Sequence, residues 1–105
     1  MSENDLTQLK ESARAASALL NAMSNPGRLM ILCMLIDSPG TPAGELSRLI
    51  GLSPSATSQH LARMKAENLI EGRRQAQRMN YFIIDDAVQK IVATLKAIYC
   101  PEPEQ

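Results

Sequence analysis

The chain has 105 residues, of which 45% are hydrophobic and 21% charged, and its eleven basic residues balance eleven acidic ones. This length and composition are typical of one globular domain and exclude wholesale disorder, whereas the zero net charge says nothing about a nucleic-acid partner. Only 3% of the residues are aromatic, which argues against sugar sites and RNA-binding surfaces that stack their ligands on aromatic rings.

Polar residues followed by proline mark the starts of three helices. Asn25-Pro26, Thr41-Pro42 and Ser53-Pro54 each place an N-cap residue before a proline, whose fixed φ suits the first helical position. A stretch rich in Ala and Leu with one apolar stripe precedes them, and Asp85-Asp86 indicates the start of a last helix. The predicted helices span about 5–23, 26–37, 42–50, 54–67 and 86–99.

Between the fourth and fifth helices the apolar period changes to that of β-strands. Met79, Tyr81 and Ile83 alternate with other residues, and the polar stretch 75–78 predicts the tip of a β-hairpin over about 69–84. The fold class is therefore mainly α with a small β-hairpin, in the order H-H-H-H-β-β-H. We expect a single domain over 1–105, since nothing indicates a linker or a repeat.

No segment has the length of a membrane span. The longest apolar run, 29–36, is eight residues long, whereas a spanning helix needs roughly 20. The N-terminus is polar and does not resemble a signal peptide. We therefore expect a cytoplasmic protein with no membrane partner.

The third helix, the tight turn 51–53 and the fourth helix form a helix-turn-helix, and the hairpin that follows is its wing. Opposite its apolar stripe the fourth helix carries short polar side chains that suit a DNA major groove, and His60 lies at the boundary of the two faces. The predicted DNA contacts are Ser55, Ser58, Gln59 and Arg63 on the helix and Arg73, Arg74 and Arg78 on the wing.

The balanced total charge conceals an uneven distribution. Residues 53–82 hold five basic and two acidic residues, a net charge of +3, whereas 83–105 hold two basic and four acidic ones, a net charge of −2. The basic segment predicts DNA binding that weakens steeply with salt. A basic hairpin also occurs simply as a solvated surface that protects a sheet edge, so this alternative stays open.

The runs 23–32 and 52–64 closely resemble the ArsR/SmtB family of winged-helix repressors, and the resemblance extends over about 12–100. It implies a homodimer built through the first and last helices that binds an imperfect palindromic double-stranded DNA operator until a signal releases it. Intramolecular packing of the same two apolar stripes is the alternative. The recognition-helix pattern of the family falls on Ser53, Ser55, Ser58, His60 and Leu61, and Thr57, also assigned to the DNA contacts, stands where many members carry Val.

Many members of this family sense metals through cysteines at the start of the third helix or through Asp and His residues on the last. This chain departs from both patterns, because 42–46 contain no thiol and 86–99 contain no histidine. One histidine and two distant cysteines do not build a tetrahedral zinc site. We therefore expect no metal.

Cys33 in the second helix and Cys100 at the end of the last match the sulfide-responsive subgroup of the family. The resemblance implies redox sensing by a bridge between Cys33 and Cys100 within one subunit, formed by reactive sulfur species that persulfidate a thiol. A direct disulfide needs Cα atoms within about 7 Å, and extra sulfur atoms relax that limit. Such a bridge is expected to lower the affinity for the operator.

Three alternatives remain. In the first, the thiols are inert and the chain is a constitutive DNA binder or an anti-silencing regulator, since a buried free cysteine usually behaves as a small hydrophobe. Cys100-Pro101 resembles a haem-regulatory pair, although no second axial ligand is evident and we expect no cofactor. An enzyme is the least supported, because the sequence has no CxxC, no Gly-rich phosphate loop and no Ser/His/Asp constellation.

Overall fold

The computed structural model describes residues 1–101, with five helices and three short strands. Residues 102–105, which the sequence places in the same single domain, lie outside the described residues. The elements, in chain order, are α1 Glu3–Met23, α2 Pro26–Asp37, β1 Thr41–Pro42, α3 Ala43–Ile50, α4 Pro54–Ala66, β2 Ile70–Gln75, β3 Arg78–Ile83 and α5 Asp86–Tyr99.

Side-chain caps begin three helices where the sequence places them. The side chains of Asn25, Ser53 and Asp85 accept hydrogen bonds of 3.0–3.1 Å from backbone N–H groups in the first turns of α2, α4 and α5. Helix α1 begins at Glu3, slightly earlier than predicted, because Ser2 and Asp5 exchange hydrogen bonds in a capping box.

The predicted start of the third helix, at Pro42, is one residue too early, and the prediction that Thr41 caps this helix is wrong. These two residues form β1, which pairs antiparallel with β3 through Thr41↔Tyr81 and Pro42↔Asn80. The Thr41 hydroxyl donates to the Ser38 carbonyl at 2.6 Å and caps no helix, so α3 begins at Ala43. Proline is tolerated in β1 because an edge strand needs only some of its N–H groups.

The wing is therefore part of a three-stranded sheet with the strand order β1-β3-β2, and the element order is H-H-β-H-H-β-β-H. Strands β2 and β3 pair from Ile70↔Ile83 to Gln75↔Arg78, so Gln75 and Arg78 end the strands. The turn consists of two residues, 76–77, with Ala76 at a φ of 55°. The predicted hairpin is confirmed, with a tighter tip.

Helix α2 lies at the centre of the molecule. Its Ile31, Leu32 and Leu35 are buried, and Cys33 on the same helix is half-buried. Side chains from every other helix and from the start of β2 complete the core. They are Ala22, Met23, Leu46, Leu61, Met64, Leu69, Ile70, Val88 and Val92.

Two apolar faces are not covered within one chain. On α1, Leu6, Leu9 and Leu20 are 45–52% exposed, and on α5, Ile98 and Tyr99 are 63% and 77% exposed. These faces belong to the helices through which the predicted dimer is built, and the dimer stays a prediction. Within residues 1–101 no single helix is long and apolar enough to span a membrane; α1 and α2 pass such a test only together, across a bend of 92°.

Thr57 does not lie on the exposed face of α4. It is 1% exposed, and its Oγ1 has no hydrogen-bond partner among the described residues. The prediction that its side chain contacts DNA is wrong, because the helical period turns this position towards the core beside Leu61 and Met64. A hydroxyl buried without a partner costs free energy.

We expect Thr57→Val to raise the free energy of unfolding by about 1 kcal/mol, because it removes an unsatisfied hydroxyl and keeps the branched shape. Urea unfolding measures this change, with Thr57→Ala as the control, which leaves a cavity and lowers stability. DNA affinity should not change. A loss of stability in Thr57→Val would show that the hydroxyl has a partner in solution.

Candidate DNA-binding and thiol sites

The turn between α3 and α4 holds the two helices of the helix-turn-helix together. Gly51 ends α3 with a φ of 72°, a left-handed conformation that favours glycine. The buried Ser47 hydroxyl donates to the Leu52 carbonyl at 2.6 Å, which closes the turn from the α3 side. The start of α4 is therefore rigidly placed on α3.

The first turns of α4 present small polar groups to the outside. Ser55, Ser58 and Gln59 are exposed, as the sequence predicts for DNA contacts. Ser53 is also exposed, and its Oγ accepts a hydrogen bond from the Ala56 N–H, which leaves its own hydroxyl proton free to donate. Short donors at the start of a helix suit both phosphates and base edges.

Arg63, one turn further along α4, already has partners. Its Nη2 donates to Asn21 Oδ1 at 2.9 Å, and its Nε lies 4.0 Å from Glu67 Oε1. Asn21 is near the end of α1, so Arg63 connects α4 to α1. For Arg63 to contact DNA as predicted, its guanidinium must either keep these exposed partners and bind DNA through its remaining N–H groups, or break these bonds.

His60 packs against the start of α2. A Cβ on Gly27 would lie 2.9 Å from His60 Nε2, so this approach needs glycine on α2. Burial lowers the pKa of His60, and the nearby Arg28 lowers it further. His60 therefore helps to position α4, whether or not it also contacts DNA.

Arg28 is a residue that the sequence analysis missed. It is buried, and its Nε donates to the Ala22 carbonyl at 2.7 Å, which fixes the end of α1 to the start of α2. The sequence does contain a signal for it, because Arg28 is the only basic residue of α2 and directly precedes the apolar run 29–36.

The three wing arginines are all exposed, but they differ in their contacts. Arg73 donates to Glu71 Oε1 at 2.6 Å, and its guanidinium lies 4.2 Å from the centre of the Phe82 ring. Arg74 and Arg78, near the turn, form no ion pair within residues 1–101. They are therefore the wing cations with the greatest freedom to reach a phosphate.

The two cysteines, far apart in the sequence, line one cavity of about 450 Å³ between α2 and α5, which we call the thiol cavity. Cys33 is half-buried on α2, and Cys100 is exposed directly after α5; both are free thiols. The Cys100 N–H donates to the Lys96 carbonyl at 2.8 Å, which ends the helix. The other residues that line the cavity are Leu29, Val92, Leu95, Lys96 and Tyr99.

The surroundings of Cys33 disfavour its thiolate. Burial raises the pKa of the Cys33 thiol, and the negative charges of Cys100 and Asp37 raise it as well, whereas Lys96 opposes them. Cys33 is therefore a thiol at neutral pH, and since the thiolate is the nucleophile, it reacts slowly.

Lys96 and Asp37 form an ion pair between α5 and the end of α2. The hydrogen bond to Asp37 raises the pKa of Lys96, so its ammonium is charged at neutral pH. This pair joins the same two helices as the cysteines. Lys96 was not predicted from the sequence, although it lies only four residues before Cys100, in the last turn of α5.

No group of three or more His, Cys, Asp or Glu side chains within residues 1–101 is arranged to hold a metal ion. His60 belongs to α4, whereas Cys100 follows α5. The expectation that the protein needs neither a metal nor haem stays a prediction.

Comparison with known proteins identifies close relatives. Residues 25–71 match the family described as "Bacterial regulatory protein, arsR family". The chain is 63% identical over 97 residues to the HTH-type transcriptional regulator YgaV of Escherichia coli (strain K12), covering 92% of this chain and 98% of the relative.

Solved structures agree with this match. A crystal structure of "the predicted DNA-binding transcriptional regulator from E. coli" is similar with a TM-score of 0.85 at 63% identity, covering 90% of this chain and 99% of that one. The transcriptional repressor BigR from Xylella fastidiosa gives a TM-score of 0.82 at 27% identity, covering 94% and 97%. The winged helix-turn-helix fold is confirmed.

The lowered pKa of His60 predicts a dependence of stability on pH. The unfolded chain, with a histidine pKa near 6.5, binds the proton more tightly than the folded chain. The free energy of unfolding therefore falls as the pH falls through 6.5 towards the lower folded pKa, and it is unaffected by His60 well above 6.5.

Urea unfolding of the wild type and His60→Gln between pH 5 and pH 8 measures this effect. We expect the loss of stability on acidification to be smaller in His60→Gln. Equal losses of stability in the two proteins would show that the pKa of His60 is the same in the folded chain as in the unfolded one.

Proposed function

This chain belongs to the arsR family of bacterial regulatory proteins and is a DNA-binding transcriptional regulator, not an enzyme, and we propose that it is a repressor whose affinity for its operator is switched by thiol chemistry at Cys33 and Cys100. The observation that carries this proposal is that both thiols line one cavity between α2 and α5. The similarity to YgaV and BigR supports an assignment to the sulfide-responsive subgroup.

The inducer in this proposal is a persulfide or polysulfide. The Cys100 thiolate attacks the terminal sulfur of a donor R–S–SH, which forms Cys100–S–SH and releases the thiolate R–S⁻. The Cys33 thiol then loses its proton, and its sulfur attacks the inner sulfur of that persulfide and displaces HS⁻. The two cysteine thiols lose two electrons, the sulfane sulfur of the donor gains them as hydrosulfide, and the thiol protons end on the two leaving groups.

Extra sulfur atoms give the bridge a longer reach. When Cys33 is itself persulfidated first, the same displacement of HS⁻ from Cys100 leaves a trisulfide instead of a disulfide. A trisulfide spans a larger separation than the Cα distance of about 7 Å that limits a disulfide. A thiol pair too far apart for direct oxidation is then still able to respond to sulfur donors.

The DNA operator is bound by α4 and the wing. The exposed Ser53, Ser55, Ser58 and Gln59 at the start of α4 fit the major groove, and Arg74 and Arg78 extend towards the flanking phosphates. A second copy covers the apolar faces of α1 and α5, which are exposed in one chain. Two α4 helices then face the half-sites of an imperfect palindrome.

A bridge between α2 and α5 affects DNA binding because α2 also supports α4. Gly27 and His60 bring the start of α2 against α4, while Cys33 lies further along the same helix. A covalent bond from α2 to α5 therefore joins the helix that supports α4 to a helix of the proposed dimer. This changes the relative placement of the two α4 helices.

The thiol switch is tested by gel shifts on the DNA upstream of the gene, with protein that is reduced or treated with sodium tetrasulfide. We expect treatment to weaken wild-type binding by about 5- to 150-fold, and mass spectrometry to find a bridge between Cys33 and Cys100. The matched control is the double variant Cys33→Ser/Cys100→Ser, which should keep its affinity.

Two results would overturn the switch. DNA release that persists in the double variant would show that the thiols are not the sensor. Unchanged wild-type binding with both thiols bridged would show a constitutive DNA binder with inert thiols. Titration with haem in the same assay tests the remaining alternative, since release together with a Soret shift that depends on Cys100 would make the regulator haem-responsive.

The wing contact makes a separate prediction. Arg74→Ala/Arg78→Ala should weaken DNA binding and reduce the slope of log affinity against log salt by about one for each arginine removed. Lys90 is an exposed cation on α5. The control variant Lys90→Ala should leave the slope unchanged. Equal slopes for the wing variant and the wild type would show that these arginines do not touch phosphate.

A further inference from the structure

Lys96 is the only cation that lines the thiol cavity within residues 1–101. A second cavity of about 420 Å³ is also lined by Lys96 and Cys100. Apart from Lys96, the two cysteines and Tyr99, the residues that line these cavities are apolar, among them Ile36 and Leu95. An ammonium group and the exposed thiol thus line the same, mostly apolar cavity.

The ammonium has one ionic partner, which is itself accessible. Lys96 bonds Asp37, whose side chain is 59% exposed, and no other carboxylate lies within ion-pair distance of Lys96 in residues 1–101. An anion that enters the cavity therefore binds the Lys96 ammonium together with Asp37 or in place of it. Breaking an exposed ion pair costs little free energy. A fully buried pair would resist such an exchange.

The charge of Lys96 also matters for the reacting sulfur atoms. Among the groups around Cys33, it is the one that favours the thiolate, against burial, Cys100 and Asp37. Persulfides and inorganic polysulfides are more acidic than thiols and are anions near neutral pH. Hydrogen peroxide and dialkyl polysulfides are uncharged, so a cation in the cavity distinguishes the two groups of reagents.

We propose that Lys96 is a specificity-determining residue of the thiol site, whose ammonium binds anionic sulfur donors next to Cys100. It then stabilises the leaving thiolate, which receives the electron pair of the broken S–S bond. Asp37 competes with the donor for this ammonium and so limits the reaction. This inference rests on the proposed function, because it assumes that Cys33 and Cys100 are the reacting pair.

The test compares an anionic with an uncharged sulfur donor. We expect Lys96→Gln to slow the modification of Cys100 by sodium tetrasulfide about fivefold at low salt, and to leave the rate with dimethyl trisulfide within about twofold. Lys96→Arg keeps the positive charge and should retain most of the tetrasulfide rate. Mass spectrometry of quenched samples measures both rates.

Asp37→Asn separates a charge effect from a structural one. Both Lys96→Gln and Asp37→Asn break the same ion pair, so a purely structural role changes the rates of the two variants in the same direction. In our proposal they change in opposite directions, because Asp37→Asn frees the ammonium and speeds the reaction with tetrasulfide. Added salt should reduce the difference between the wild type and Lys96→Gln.

The proposal is overturned if Lys96→Gln leaves the ratio of the tetrasulfide and trisulfide rates unchanged, or if Asp37→Asn slows the tetrasulfide reaction as Lys96→Gln does. The proposed function fails on a different measurement, the gel shift, in which DNA binding would be the same before and after modification of the thiols. The rate ratio is measured without DNA, so each idea fails on its own measurement.

Discussion

The packing of α2 is the constraint on which the rest of the structure depends. Its Ile31, Leu32 and Leu35 are buried, and each such side chain contributes about 1.5–3 kcal/mol on burial. The start of this helix lies against α4 at Gly27, and its later turns carry Cys33 and Asp37 towards α5. In the proposed switch, a bond formed at the thiol end of this close-packed helix changes the placement of the DNA-binding helix.

The two cysteines of the thiol cavity differ in their exposure and in their expected reactivity. Burial keeps Cys33 protonated and slow to react, whereas Cys100 is exposed at the end of α5. The ammonium of Lys96 lies with both and favours negative sulfur. Burial in this mostly apolar cavity disfavours the thiolate form of Cys33, whereas the ammonium of Lys96 attracts a sulfur donor that already carries a negative charge. This difference is the physical basis of the selectivity that we infer.

Local signals in the sequence predicted most elements, and they failed where distant contacts decide the outcome. Asn25, Ser53 and Asp85 cap helices because a cap needs only the next three residues. Thr41-Pro42 carries the same signal but pairs with β3, which lies far along the chain. Thr57 carries a polar group that suits DNA, yet the packing of α4 buries it.

By itself the sequence determined the winged helix-turn-helix, the exposed polar face of α4, the basic wing and the two cysteines as candidate partners, because these follow from caps, periodicity, local charge and a family resemblance. Only the tertiary structure decided that both thiols share a cavity with Lys96, that Arg63 bonds Asn21, and that His60 packs on Gly27. Such contacts join residues distant in the chain, and no local pattern specifies which side chains meet when helices pack.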